Sequence, residues 1–320
     1  MRDALAFLPI RALRALLRGL PPELAVRTGA RLGRMAARLG GRVTATARIN
    51  LELAFPELSD AQRGDLLANA YANLGRCVAE LALLQGRHRE ALLDHSRVDG
   101  AEHLHSAAAA SPTGGVILLS AHFGAWDLGA AALAHAGFRI SVVYRGFASA
   151  RLTAMISDVR LRGRLDIDEI RMGGMAGLAV QRALRAGRIV VVLLDQNARR
   201  DEGVFVPFFS RLACTRTGPA LIAMRGGFPV VPAFVCREGA APNNVVRVQP
   251  ALDLRAEGND REAALRENVE LMTQAIERVI REHPDHWLWP HRRWRTRPEE
   301  GPAAEAERIY PPRVIRIRPV

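Results

Sequence analysis

The chain has 320 residues, 49% of them hydrophobic, enough to bury a sizeable core in one large domain or two small ones, which excludes a disordered chain. Its formal net charge is +12 and all 45 basic residues are arginine, so its expected partners are anionic: phosphate, anionic lipid, nucleic acid or an acidic protein. Cys77, Cys214 and Cys236 are odd in number and lack Cys-x-x-Cys or finger spacing, which argues against a disulfide scaffold or structural zinc and points to a reducing, cytosol-facing compartment.

The N-terminus shows neither a signal peptide nor a run long enough to span a bilayer, because Pro9, Arg11, Arg14 and Arg18 interrupt it well short of the ~20 apolar residues a span needs. What remains is amphipathic. Ile10, Leu13, Leu17 and Leu20 recur at helical spacing against arginines, up to Pro21-Pro22. The design repeats with Leu24, Thr28, Leu32, Met35 and Leu39 against Arg27, Arg31, Arg34 and Arg38, up to Gly40-Gly41. Such basic helices either pack on the domain or lie in an anionic membrane interface. Ser59 and Gln62 form a capping-box spacing ahead of another helix, so residues 1–95 read as a helical, membrane-contacting region.

After Gly114-Gly115 short β-branched runs alternate with helical stretches. "GVILLSA", "FRISVVY", "RIVVVLLDQ", "PVVPAFVCRE" and "NVVRVQPALDL" read as strands. "LGAAALAHAG", "ASARLTAMISDVRLRG", "MAGLAVQRALRAG", "TGPALIAMRGG" and the segment from Asp260 to Glu282 read as helices. This pattern predicts an α/β domain over 96–298, with a mixed, largely parallel sheet flanked by helices, and a tail over 299–320. Ligands in such sheets gather beyond the carboxyl ends of the strands, where His122, Tyr144-Arg145 and Asp195-Gln196 fall.

"LLSAHFGAWDLG" carries the candidate chemistry. On one continuous helix His122 and Asp127 would point about 140° apart. At a strand-to-helix junction, Asp127 in the first helical turn can accept the imidazole N–H, fix its tautomer and stabilise the imidazolium. The pair then reads as a general base, or else as a satisfied structural contact. Ser120 shares a strand face with His122, but no G-x-S-x-G elbow exists, so the attacking hydroxyl is expected from the substrate. "MGGMAG" fails the dinucleotide fingerprint because Met172 stands where its first glycine belongs, and His103 and His105 lack acidic or cysteine partners for a metal. The closing "HRRWRTRP" interleaves Arg292 and Arg293 with tryptophans, which suits lipid headgroups or single-stranded nucleic acid.

Three segments, "SAHFGAWDLG", "LLDQNARRDEGVFVPFFSRLACTRTGPALIAMRGG" and "WLWPHRRWRTRP", together with "ARINLELAFPELS" and "VRLRGR", carry a resemblance from Arg48 to Pro298. The chain resembles the bacterial lipid A late acyltransferases, the lauroyl and myristoyl transferases, a family that also includes phosphatidylinositol mannoside acyltransferases. The resemblance implies a glycerolipid-acyltransferase-like fold and an enzyme at the cytoplasmic face of the inner membrane, peripheral or interfacial. It implies acyl transfer from acyl carrier protein or a coenzyme A thioester to a hydroxyl of a glycolipid, with no cofactor, metal or nucleic acid. By motif, His122 is the base, Asp127 its orienting acid, Arg164 lies near the reacting centre or a phosphate, and Asp195 supports the site. Arg145, Gln196, Arg292 and Arg293 are the expected substrate contacts. The sequence departs from the family in having Asp127 where many members have glutamate, Gly146 where proline is common, and arginine-studded helices in place of the usual N-terminal anchor. Acylation of a phosphatidylinositol mannoside or another lysolipid, and a non-catalytic basic binding protein, are the alternative readings.

Overall fold

A computed structural model describes residues 2–145, 154, 167–239, 242–256, 258, 260–298 and 309–310. The helix expected over 148–163 lies, apart from Ala154, outside the described residues, as does Arg164.

The sequence opens with four helices: α1 (Arg2–Gly19), α2 (Pro22–Leu39), α3 (Arg42–Ala54) and α4 (Asp60–Leu83). α1 continues through Pro9, so this proline does not end the helix. The capping box forms as its spacing predicts: the Ser59 hydroxyl accepts from the Gln62 N–H while the Gln62 side chain accepts from the Ser59 N–H. A short α5 (Arg89–Asp94) leads into β1 (Ser96–Asp99) and α6 (Ala101–Ala110). Then come β2 (Val116–Ser120), α7 (Trp126–His135), β3 (Ile140–Tyr144), β4 (Ile167–Arg171), α8 (Ala176–Arg185) and β5 (Ile189–Leu193). The hairpin β6 (Gly203–Phe208) and β7 (Arg211–Arg216) stands apart as its own two-stranded sheet. α9 (Gly218–Gly226), β8 (Val230–Arg237), β9 (Asn244–Val248) and α10 (Arg261–Glu282, capped by the Asp260 side chain) complete the elements.

Seven strands form one sheet in the order β1-β9-β8-β2-β5-β3-β4. The five strands from β8 to β4 run parallel, while β9 pairs antiparallel with β8 and parallel with β1. Because side chains alternate along a strand, the sheet buries two cores. Ile117, Leu119, Val190, Val230 and Phe234 face α10, α3 and the hairpin, whereas Val116, Leu118, Ile189, Val191 and Val231 face α7 and α6. α4 feeds both: Leu67, Ala70 and Tyr71 join the first core, and Ala79, Ala82 and Leu83 the second. The N-terminal helices thus share their cores with the sheet. At the other end Tyr310 is buried, its hydroxyl donating to Asn50 Oδ1 at 2.5 Å, so this residue packs against α3.

Two features fix α4 against its neighbours. Glu80, fully buried, takes a bidentate pair from Arg237 of β8 at 2.5 and 2.7 Å and a third hydrogen bond from Asn244 of β9 at 2.7 Å. On the opposite side α2 packs at near backbone contact. A Cβ on Gly33 would lie 2.0 Å from the Tyr71 carbonyl oxygen, and one on Gly75 would lie 2.0 Å from that of Gly29. The inner face of α2 is therefore small: Ala25, Gly29, Ala30, Gly33 and Ala37 are buried. This overturns the simplest reading of its large apolar stripe, because Leu24, Met35 and Leu39 are exposed, beside exposed Arg27, Arg31, Arg34 and Arg38.

Gly33→Ala is expected to lower stability by about 1–3 kcal/mol, because its methyl group forces α2 off α4. Gly64→Ala, in α4 with nothing within 4 Å of the added Cβ, should match or exceed wild-type stability. Thermal unfolding of the two variants checks the contrast.

Candidate active site

The register of β2 and β5 builds the site. Ser120 pairs with Leu193 across the parallel ladder, so the residues two positions beyond each strand end, His122 and Asp195, emerge side by side. His122 Nδ1 lies 2.9 Å from Asp195 Oδ1, and the other carboxylate oxygen accepts from the Trp287 indole N–H at 2.8 Å. With Nδ1–H donated to the carboxylate, Nε2 carries the lone pair. The Gln196 side-chain amide stands 3.2 Å from it and can donate to it. The His122 side chain is 22% exposed and that of Asp195 2%, so the imidazole reaches solvent while the carboxylate is enclosed. Burial alone would raise the Asp195 pKa, but His122 and Trp287 hold it down at about 2, and the carboxylate stays ionised.

The turn that presents His122 needs a glycine. Gly124 has φ 56° and packs so closely on β8 that a Cβ would sit 1.9 Å from the Val235 carbonyl oxygen. The segment after α10 closes over this turn as a strap: Gly124 N–H donates to the His286 carbonyl at 2.9 Å and Leu288 N–H to the His122 carbonyl at 3.0 Å. Between strap, turn and α4 lies a small, partly open recess, lined by Ala70, Tyr71, Asn73, Leu74, Cys77 and Trp126 among others, with His122 in its wall. Trp126 meets the imidazole edge-on at 5.2 Å between centroids. Cys77 is not a ready nucleophile, because burial pushes its thiol up to about 12 and the thiol donates to the Gly124 carbonyl at 3.1 Å. All three cysteines are free.

The residues expected from sequence divide accordingly. His122, Asp195 and Gln196 converge. The carboxylate on the imidazole N–H is that of Asp195, where the spacing had suggested Asp127; Asp127 stands half-buried in the first turn of α7. The ladder explains the exchange, since a neighbouring parallel strand delivers a carboxylate directly beside Nδ1. Arg145 is exposed just beyond β3, and Arg292 is half-buried with its guanidinium 5.6 Å from the Tyr310 ring centroid. Arg293, expected to touch substrate, is fully buried and donates to the Cys214 carbonyl at 2.8 Å and to Thr215 Oγ1 at 2.5 Å. It braces β7 against the strap. Two neighbours of the site were read from the sequence only as part of the closing arginine–tryptophan segment. Trp287 binds the site carboxylate, and His291 accepts the Asn197 N–H at Nε2, 3.0 Å away. Burial first, then the charges of His122 and Arg293, lower the His291 pKa to about 4, so its imidazole is neutral.

A family model described as bacterial lipid A biosynthesis acyltransferase matches residues 1–296. The chain belongs to that family. It is 27% identical over 287 residues to the lipid A biosynthesis lauroyltransferase of Escherichia coli (strain K12), covering 89% of each chain. It is 28% identical over 268 residues to a lipid A biosynthesis acyltransferase of Haemophilus influenzae, covering 82% of this chain and 81% of the relative. To the lipid A biosynthesis myristoyltransferase of Escherichia coli (strain K12) it is 27% identical over 294 residues, 91% of this chain and 87% of the relative. The protein is an acyltransferase, and the non-catalytic reading lapses with that membership. Among the described residues of this acyltransferase, no helix is long and apolar enough to cross a membrane.

The depressed His291 pKa has a consequence for stability. Unfolded, this histidine takes a proton near pH 6.5; folded, only near pH 4. Between those values the unfolded chain binds more protons, so stability falls as pH drops from 6.5 toward 4, by up to on the order of 3 kcal/mol from this group. His291→Gln, which keeps an acceptor for Asn197, should flatten that part of a Tm-against-pH curve.

Proposed function

We propose that this acyltransferase moves a fatty acyl chain from a carrier thioester, on acyl carrier protein or coenzyme A, to a hydroxyl of a lipid A precursor, with His122 as general base. The observation that supports this is the His122–Asp195 contact at 2.9 Å, with the imidazole in the wall of a recess. The acceptor oxygen attacks the thioester carbonyl while Nε2 takes its proton, and Asp195 stabilises the imidazolium that forms. When the tetrahedral intermediate collapses the C–S bond breaks, and the leaving thiolate takes the proton back from Nε2. Atoms balance without an acyl-enzyme. The anionic intermediate calls for donors, and Arg164 is the residue that the family resemblance offers for that charge.

The acceptor is a lipid, and α2 supplies a surface suited to one. On a helix with 100° per residue, Leu24, Met35 and Leu39 fall within about 60° of arc and the four arginines lie along one side of them, an amphipathic array for an anionic bilayer at the cytoplasmic face of the inner membrane. Gly33 of this helix packs on Tyr71, which lines the recess, so the lipid-facing stripe and the His122 recess are one helix layer apart.

His122→Ala should reduce transfer by about 10³-fold or more at unchanged thermal stability, and Asp195→Asn should also lose most activity through the wrong tautomer. The assay offers acyl carrier protein and coenzyme A thioesters together with a lipid A precursor and a phosphatidylinositol mannoside, followed by mass analysis of the lipids. Near-normal turnover by His122→Ala removes the mechanism; acylation of the mannoside alone replaces the acceptor.

Replacing Leu24, Met35 and Leu39 together by serine should weaken sedimentation with phosphatidylglycerol-containing vesicles by about 10-fold or more. Replacing Arg27, Arg31, Arg34 and Arg38 by glutamine should make the remaining binding insensitive to salt. Unchanged vesicle binding in both variants excludes α2 as the contact.

A further inference from the structure

We infer that Trp287 is a positioning residue for the acyl transfer, setting both the distance between Asp195 and His122 and the readiness of that pair to give up its proton. The inference rests on the general-base reading of His122 and extends it to a residue outside both strands that carry the pair.

Trp287 is tied to both members of the pair, to Asp195 directly and to His122 through the turn that carries it. Its side chain donates the indole N–H to Asp195 Oδ2 at 2.8 Å, the oxygen that His122 does not use. Its backbone pairs with the turn that carries His122: Phe123 and Trp287 form an antiparallel bridge, flanked by the hydrogen bonds from Gly124 N–H to the His286 carbonyl and from Leu288 N–H to the His122 carbonyl. One residue is thus fixed to the histidine loop through its main chain and to the carboxylate through its ring.

The ring itself cannot swing away. Trp287 is 2% exposed and meets Phe208 at 5.6 Å and Trp289 at 4.7 Å, both edge-on. Phe208 ends β6, and Arg293 lies 5.0 Å from its ring centroid. The strap beyond Trp287 is held from α3, where Asn50 Nδ2 donates to the carbonyls of Trp289 and His291 at 2.6 Å each.

The chemistry follows from the accounting of donors. A carboxylate enclosed to 2% exposure needs its charge met by donors, since water cannot supply them. His122 meets one oxygen and Trp287 the other. Among the described residues, the strap adds two more charged or titratable groups acting on Asp195: His291, and Arg293, whose guanidinium is committed to Cys214 and Thr215. Without the indole N–H the deprotonated pair loses half of its direct stabilisation, so the His122–Asp195 pair keeps its proton to higher pH. A pair that holds its proton cannot accept one from the acceptor hydroxyl. The rate then depends on pH over a higher range, and the loosened carboxylate orients the imidazole less well.

The test compares two replacements at position 287 in the full-length enzyme. Trp287→Phe keeps an aromatic ring without a donor. Incorporation of 3-benzothienylalanine keeps the shape of tryptophan and substitutes sulfur for the N–H, so it remains informative if the phenylalanine variant folds poorly. Trp289→Phe is the control: that indole donates to the Pro284 carbonyl at 2.7 Å in the same strap and does not touch Asp195. Initial rates are measured from pH 5 to 9 with a saturating thioester and a lipid A precursor.

The expected result is a kcat lower by about 10-fold or more, with KM changed by less than about 3-fold, and an acidic limb of kcat/KM moved up by about one pH unit in both position-287 variants. Trp289→Phe should leave that limb in place whatever it does to thermal stability. An acidic limb that stays put in the benzothienyl variant, or that moves equally in Trp289→Phe, overturns the inference while leaving the general base intact. A His122→Ala enzyme with wild-type turnover overturns the general-base reading itself, so the two failures are separable.

Discussion

The hydrogen bond between His122 and Asp195 depends on one backbone fact, the in-register pairing of β2 with β5. These strands are 73 residues apart in the hydrogen-bonded pair that they deliver, yet the ladder Ser120 to Leu193 leaves no freedom in where the next two residues of each strand emerge. A slip of one position would turn one of the two side chains to the opposite face of the sheet. Both strands are buried on both faces, so the hydrophobic pattern that fixes the register is the same pattern that fixes the site.

What surrounds the pair is arranged to keep its geometry while leaving one side open. α4 forms the open side, with Tyr71, Leu74 and Cys77 in the recess wall. It is anchored from beneath by Glu80, whose charge is matched by Arg237 and Asn244 across two strands. Such a buried pair adds little net stability over an apolar replacement, but losing one partner costs about 3–5 kcal/mol, so its effect is to fix the position of α4. The strap forms the closed side. It carries a buried arginine with no carboxylate bonded to it, Arg293, whose pKa burial lowers to about 10; the backbone and hydroxyl acceptors of β7 hold that cation in place. Both sides thus accept electrostatic cost to fix geometry around the Asp195 carboxylate.

The sequence disclosed the local part of this and withheld the rest for a definite reason. Strand and helix identities followed from period and caps: the Ser59 box, the long helix ending at Glu282 and the uninterrupted apolar run of β5 all stand where the pattern put them. His122 and Asp195 were visible as polar residues at strand ends. That they meet was not, because strand order is a property of packing, and the nearest carboxylate in sequence, Asp127, was the natural candidate. Arg293 was misjudged for the same reason, since composition cannot distinguish an arginine in a solvated basic patch from one folded beneath it. The clearest available signal for the strap was its spacing of tryptophans, Trp287, Trp289 and Trp294: three bulky residues so close together seldom all face water, and all three are buried here.

α2 shows how far a helical pattern can mislead when the partner surface is backbone. A stripe of Leu24, Met35 and Leu39 is the face that burial arguments select, yet glycine and alanine, with Val26, occupy the buried face because Gly29, Gly33 and Gly75 let two helix axes approach until backbone meets backbone. Close packing of small residues gains dispersion contacts without needing large side chains, so the large ones are released to the outside. Exposed leucine and methionine beside four arginines have no role in a helix that only packs on its own domain. On the proposed reading they place the enzyme at the surface where its acceptor resides, and the same glycines that expose them bring that surface within one helix of the recess. The small inner face and the greasy outer face of α2 are then two results of one sequence choice.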